Sequence, residues 1–192
     1  MRKLGVLSVI VLIAVSDQAF GQASVSLGLK AGLNFNTISA NILATSFSGR
    51  IGYHGGAFVN IKMSGLAIVP EVIYSMQGAD ISSPTSTGPV ELGYLNVPVL
   101  LKLYLLEGLN VQLGPQFGFL TSASSAGLDI RDFVKGTDTS IAVGIGFDIS
   151  KFVIDGRYNL GISEINENVT LNAAKNRVFQ LSVGYKLVEF GR

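Results

Sequence analysis

The stretch from Val25 to Asn36 reads Val-Ser-Leu-Gly-Leu-Lys-Ala-Gly-Leu-Asn-Phe-Asn. Every second residue is apolar, and the residues between them are polar or glycine. Because successive strand side chains point to opposite faces, this pattern predicts a β-strand with one apolar face and one small, polar face. The pattern returns seven more times, so the sequence predicts eight strands, at residues 25–36, 51–62, 66–77, 94–105, 109–120, 140–149, 153–162 and 178–187.

The composition indicates that these strands lie in a membrane. Charged residues make up 14% of the 192 residues, against roughly 25% in average soluble domains. Beyond the N-terminal segment, no apolar run reaches the roughly 18–20 residues that a transmembrane helix requires. Helices and closed barrels are the two forms that satisfy every backbone group inside a bilayer. We therefore expect an all-β protein, an eight-stranded antiparallel transmembrane β-barrel that is closed.

The N-terminal segment is typical of a secretory signal peptide. Arg2 and Lys3 precede an apolar run at residues 4–15, and small residues follow. We expect cleavage after Gly21, so that residues 1–21 are removed and residues 22–192 form the barrel domain. Cleavage takes away two of 14 basic and one of 13 acidic residues, which leaves 12 of each. This balance gives no electrostatic basis for binding nucleic acid.

The segments between the strands alternate in length. Short turns at one end and long loops at the other are typical of outer-membrane barrels, whose turns face the periplasm. An even number of strands then places both termini in the periplasm and the long loops outside, where they would carry any protein partner. The turns are residues 63–65, 106–108 and 150–152, and the loops are residues 37–50, 78–93, 121–139 and 163–177.

The two faces of the strands predict which side of the barrel meets lipid. None of the eight apolar faces carries a charged residue. In the rival fold, a soluble lipocalin-like barrel, the apolar face would instead line a ligand cavity. Glycine decides between them, because ten strand glycines lie on the polar face and only Gly55 and Gly156 on the apolar face. A narrow interior filled by side chains needs such small residues, so we expect the polar face to be inside.

Five charged residues of the polar faces are expected to meet inside the barrel. Buried charges are tolerated when they are paired, so the set predicts a structural ionic cluster that fills the lumen. A narrow ion or proton path is the alternative use of the same residues. The five are Lys30, Glu71, Lys102, Asp155 and Arg157.

Three prolines, Pro70, Pro98 and Pro115, lie within predicted strands. Proline removes a ladder donor and occurs mainly at edges or bulges. Because a closed barrel has no edges, we expect a local bulge at each proline.

The sequence carries little that predicts catalysis. It contains no cysteine, which excludes disulfides, thiolate metal sites and cysteine nucleophiles. His54, its single histidine, has no second histidine to share a metal, and no Ser-His-Asp set can be recognised by spacing. We expect an interior, hydrogen-bonded histidine and no catalytic residue, cofactor or metal site.

Six motifs follow one another along the chain, and they begin at Gly28 (GLKAGLNF), Pro70 (PEVIYSMQG), Tyr94 (YLNVPVLLK), Gly114 (GPQFG), Asp155 (DGRYNLG) and Phe179 (FQLSVGYK). In this order they resemble the PorT-like family of outer-membrane β-barrels. The resemblance implies an outer-membrane barrel and, from the family's namesake, a link to protein secretion. Many such barrels end on an aromatic residue that the barrel assembly machinery recognises, whereas here the predicted last strand ends at Leu187 and Phe190 follows.

The sequence thus predicts an integral outer-membrane protein of structural or interaction type. Its expected partners are membrane lipid, the barrel assembly machinery and proteins that contact the long loops. The alternatives are a small pore or transporter and, less favoured, an outer-membrane enzyme.

Overall fold

The computed structural model describes residues 23–39, 46–82, 87–125, 127–162 and 175–191. Eight long strands of this part of the chain form a single antiparallel ring, in which each pairs with the next and the last pairs with the first. This confirms the predicted closed, eight-stranded barrel. The strands are β1 (Ala23–Ser39), β2 (Ser46–Met63), β3 (Leu66–Ser82), β4 (Thr87–Tyr104), β5 (Leu109–Ser125), the short loop strand β6 (Leu128–Asp129), β7 (Thr137–Ile149), β8 (Phe152–Gly161) and β9 (Lys175–Phe190).

Several strands run further than predicted at the long-loop end. β3 continues to Ser82 and β4 begins at Thr87, so much of the predicted loop 78–93 is strand. An 18-residue strand such as β4 far exceeds the roughly 9–11 residues that cross a bilayer. Its long-loop end carries fewer apolar residues because it extends beyond the lipid, which is why the apolar alternation did not predict it.

Some predictions lie outside the described residues. These are the signal peptide at residues 1–21 and the parts of the predicted loops at residues 40–45, 83–86, 126 and 163–174.

The described residues include one short helical segment, Arg131–Phe133, which is a single 3-10 turn. Within the described ranges, no helix has the length and apolar character needed to cross a membrane.

The apolar faces of the barrel strands point outward. Leu29 and Ile145 on this surface are 53% and 63% exposed, whereas Glu71 and Arg157 on the inner face are 2% exposed. An apolar surface that covers the whole wall far exceeds the patches found on soluble monomers. The arrangement is that of a barrel whose wall faces lipid, and it excludes the soluble alternative with an apolar interior.

Inward-facing glycines let neighbouring strands bend closely around the narrow interior. A Cβ atom added at Gly32 would overlap the carbonyl oxygen of Leu181, and one at Gly114 would overlap that of Val99. No real side chain tolerates such an overlap with backbone, so these positions require glycine. The glycine pattern that favoured a filled interior thus has a steric cause.

The prolines do not cause bulges, and that prediction was wrong. Each proline pairs in register with one neighbouring strand, and pairing with the other neighbour lapses for two residues without a shift. Losing one N–H group removes a hydrogen bond but adds no residue to the strand. The register shifts lie elsewhere, between Leu27 and Gly28, between Gly49 and His54, and between Gly93 and Tyr94.

The last strand ends at Phe190 rather than at Leu187 as predicted. Leu27 pairs with Val188 and Gly28 with Lys186, so Leu187 is the extra residue of a β-bulge. The bulge reverses the alternation of side chains, and both Val188 and Phe190 point outward. The apolar pattern breaks at Leu187 because of this bulge, although the strand itself continues.

Candidate functional site

Four of the five predicted charged residues meet in the middle of the barrel. The ammonium group of Lys30, on β1, donates hydrogen bonds to Glu71 Oε1 on β3 and to Asp155 Oδ2 on β8, both at 2.9 Å. The Arg157 guanidinium binds both carboxylate oxygens of Glu71, at 2.9 and 3.1 Å. Two cations and two carboxylates balance in charge, and all four side chains are buried. We refer to these four residues as the ionic quartet.

The ionic quartet joins strands that are distant in the chain and lie on different sides of the wall. Glu71 and Arg157 are 86 residues apart, and Lys30 and Asp155 are 125 apart. Arg157 also donates to Gln112 Oε1 on β5 at 3.2 Å. Because each charge has an opposite partner within hydrogen-bond distance, the cluster avoids the cost of isolated buried charges.

Lys102 does not join the ionic quartet, in contrast to the prediction. Its ammonium group lies 3.5 Å from Asp148 Oδ1 at the short-turn end of the barrel. Asp148 also accepts hydrogen bonds from Tyr104 and Asn110, at 3.0 and 3.2 Å. Asp148 was not singled out in the sequence, although its place on the polar face of β7 would have allowed it.

His54 lies in the interior on the long-loop side of the ionic quartet, between Asn34 and Ser182. The Asn34 amide nitrogen donates to the carbonyl oxygens of Tyr53 and Met76, at 3.1 and 2.9 Å, which fixes the amide so that Oδ1 faces His54. His54 Nδ1 must then donate to Asn34 Oδ1, at 2.7 Å. Its Nε2 consequently accepts the hydroxyl proton of Ser182, at 2.9 Å. This assigns the tautomer of a neutral histidine.

Ser182, His54 and Asn34 therefore have the hydrogen-bond order of a nucleophile, a base and an orienting group. Sequence spacing could not reveal the set, because Ser182 lies 128 residues from His54. All three side chains are less than 5% exposed, whereas a nucleophile must come within about 3–3.5 Å of its substrate. The described neighbours leave no approach to Ser182 in this conformation. No three His, Cys, Asp or Glu side chains of the described ranges are placed to hold a metal ion.

Apolar side chains fill the interior beside these polar layers. Toward the short turns, Phe58, Val69 and Leu100 pack together with Val153. At the other end, the loop after β5 folds over the barrel, and its Ile130 and Val134 pack on a buried cluster. That cluster consists of Val90, Leu92, Tyr94 and Ala123.

The loop between β5 and β7 has a structure of its own. Its strand β6 pairs with the end of β5, and the backbone N–H of Ile130 donates to the carbonyl oxygen of Ala123. Arg131 donates three side-chain hydrogen bonds to the Asp129 carboxylate. These bonds hold the pKa of Asp129 below its usual range. The described part of this loop is therefore tied by backbone hydrogen bonds to the end of β5.

The sequence matches the family model for the outer membrane protein beta-barrel domain over residues 18–167. The chain belongs to this family. The match spans most of the barrel, from the end of the predicted signal peptide to the loop after β8. It accords with the closed ring and its apolar outer wall, and it assigns the protein to the bacterial outer membrane.

Solved structures of outer-membrane barrels have the same fold. Neisserial surface protein A (NspA) is 15% identical with a TM-score of 0.58, and the match covers 85% of this chain and 99% of that one. OprG from Pseudomonas aeruginosa is 10% identical with a TM-score of 0.51, covering 90% and 97%. Ail of Yersinia pestis, solved with the heparin analogue sucrose octasulfate, is 16% identical with a TM-score of 0.50, covering 88% and 100%. At these identities the likeness shows the fold alone. No curated protein matches the chain in sequence.

Proposed function

We propose that this outer membrane protein beta-barrel domain protein is a non-conducting barrel of structural or interaction type. The observation that carries the proposal is the filled interior, in which the ionic quartet joins opposite walls of the barrel. In such a protein the lumen serves stability, and the recognition surface is formed by the long loops.

A small pore is the alternative, and conductance in planar bilayers separates the two. We expect currents indistinguishable from a protein-free bilayer, because Lys30 and Arg157 cross the lumen to reach their carboxylates. Stepwise ion currents from the purified, folded protein would support the pore.

The proposed orientation places the long loops outside the cell and both termini in the periplasm. Because the chain contains no cysteine, single cysteines report their side of the membrane without interference. In whole cells we expect a membrane-impermeant maleimide to label the Leu128→Cys variant, in the loop after β5, and to spare the Glu107→Cys variant, in the turn after β4. The reverse labelling would refute the orientation.

The exposed loops are the proposed site for a protein partner, and the resemblance to the PorT-like family suggests a link to protein secretion. Deleting the gene and comparing the secreted and surface proteomes tests this link. Loss of a set of secreted proteins, restored by the wild-type gene, would support it. An unchanged secretome would leave the barrel without a secretion role.

The barrel assembly machinery is a second proposed partner, and Phe190 is the residue proposed to contact it. The bulge at Leu187 turns the Phe190 ring outward, and it is 65% exposed. We expect Phe190→Ala to lower the amount of folded barrel in the outer membrane several-fold, measured by the mobility shift between boiled and unboiled samples. Leu187→Ala, also an outward apolar residue of β9, is the control and is expected to assemble normally.

We propose that the protein is not an enzyme, although Ser182 and His54 have a triad-like geometry. Burial of both side chains supports this view, since a substrate cannot reach the hydroxyl. A fluorophosphonate probe is expected to leave the folded barrel unlabelled. Labelling that disappears in the Ser182→Ala variant would instead establish a serine hydrolase.

A further inference from the structure

Gly156, on β8, faces outward and is not required by the packing of the barrel. A Cβ atom added there would meet nothing nearer than a methyl group of Leu181, at 3.5 Å, which is an ordinary contact. The inward glycine Gly32 is different, because its added Cβ would overlap a backbone carbonyl. A glycine inside a strand weakens it and often marks a bulge, a tight bend or a place where a ligand or another backbone approaches closely. Gly156 pairs in register with both neighbouring strands, so no bulge accounts for it.

The missing side chain deepens a groove on the outer wall. The groove has a volume of about 570 Å³ and lies between two rows of paired residues. One row runs from Leu101 on β4 to Phe179 on β9, and the other from Leu103 on β4 to Gly156. It crosses five strands, so at ~4.8 Å between strands its length is about 19 Å. The outward side chains that border it are apolar except for the hydroxyl of Tyr158.

We propose that this groove binds one acyl chain of a phospholipid. A long, narrow and apolar depression within the lipid-facing wall matches a linear hydrocarbon chain. A second copy of the barrel fits less well, because a twofold dimer brings the same patch of both copies together. Two concave grooves placed face to face would enclose a void, which forfeits packing contacts.

The position of the groove indicates a phospholipid as the source of the chain. Its lower border, Leu103 and Val111, flanks the turn between β4 and β5. In the orientation proposed above, on which this step rests, that turn adjoins the periplasmic leaflet, which consists of phospholipid. The acyl chain would enter beside the turn and rise along the groove toward β9.

Native mass spectrometry of the barrel, extracted from the outer membrane in mild detergent, tests the proposal. Gly156→Leu fills the groove with an apolar side chain, and Val72→Leu adds one methylene to the wall outside it. We expect wild type and Val72→Leu to retain one phospholipid per barrel, and Gly156→Leu to lose at least three-quarters of that population. The shift between boiled and unboiled samples verifies that each variant is folded.

Three results would overturn the proposal. Equal phospholipid retention by Gly156→Leu and wild type would remove the groove as the binding site. Lipopolysaccharide retained in place of phospholipid would assign the groove to the other leaflet. A dimer that Gly156→Leu abolishes would make a second copy the occupant. The cysteine-labelling experiment tests the orientation independently, so its failure remains distinguishable from failure of the groove.

Discussion

At the residue scale, the ionic quartet makes a direct prediction about stability. Glu71→Ala removes the carboxylate that both Lys30 and Arg157 contact, and leaves two buried cations with one partner, Asp155. Breaking a buried pair in this way costs about 3–5 kcal/mol. We expect the free energy of unfolding in detergent, measured by urea titration, to fall by about that amount.

The pair of Arg50 and Glu91 at the outer rim is the matched control. It has a distance of 2.7 Å, but its side chains are 34% and 42% exposed. Exposed pairs contribute about 0–1 kcal/mol, so we expect the free energy of unfolding of Glu91→Ala to be close to that of wild type. If the two variants lost equal stability, burial of the ionic quartet would not be the cause.

Two glycines that face opposite sides of the barrel wall give a second prediction for single residues. Gly32→Ala would place a Cβ against the carbonyl oxygen of Leu181, and backbone cannot move aside cheaply. We expect this variant to yield little folded barrel on refolding into detergent. Gly156→Ala, whose Cβ has space, is expected to refold as wild type does. Normal refolding of Gly32→Ala would contradict the close packing of β1 against β9.

At the element scale, the prolines create a line of interrupted pairing across three neighbouring strand pairs. Pairing lapses between β2 and β3 beside Pro70, between β3 and β4 beside Pro98, and between β4 and β5 beside Pro115. Backbone that lacks ladder hydrogen bonds opens locally at lower free energy. We expect the amides of residues 69, 71, 72, 97, 99 and 100 to exchange with deuterium faster than those of the continuous β1–β2 ladder at residues 25–35. Uniform exchange along these strands would contradict a weakened seam.

The elements also show where sequence patterns succeed and fail. Alternation predicted the strands well where one face meets lipid, because lipid imposes an apolar residue at every second position. It failed at the outer ends of β3 and β4, where water removes that constraint. It failed again at Leu187, because one inserted residue reverses the period without ending the strand. The prolines led to the opposite error, because bulges were predicted where none exists. A missing N–H donor causes a lapse in pairing and inserts no residue.

The sequence predicted which charged residues lie in the interior, but it did not predict which of them contact each other. The polar faces indicated that Lys30, Glu71, Asp155 and Arg157 would be inside, because a charge on the lipid face costs about 2–4 kcal/mol. Register determines which of them meet, and register depends on bulges that no local pattern reveals. For that reason Lys102 was expected in the ionic cluster although it lies beside Asp148, and the contact between Ser182 and His54 was missed.

The whole molecule is a closed barrel whose apolar face is turned toward lipid. β9 offers a clear test, because Phe179, Leu181 and Val183 point outward while Gln180 and Ser182 are buried. Neither inward residue is a glycine, so cysteine can replace each without a backbone clash.

Single cysteines at residues 179 to 183, reacted with a lipid-soluble maleimide in reconstituted vesicles, provide the most direct measurement. We expect the cysteines replacing Phe179, Leu181 and Val183 to react and those replacing Gln180 and Ser182 to be protected. Protection of the three odd-numbered positions with reaction at the two even-numbered ones would show that the apolar face lines the interior, and would refute a lipid-facing apolar wall.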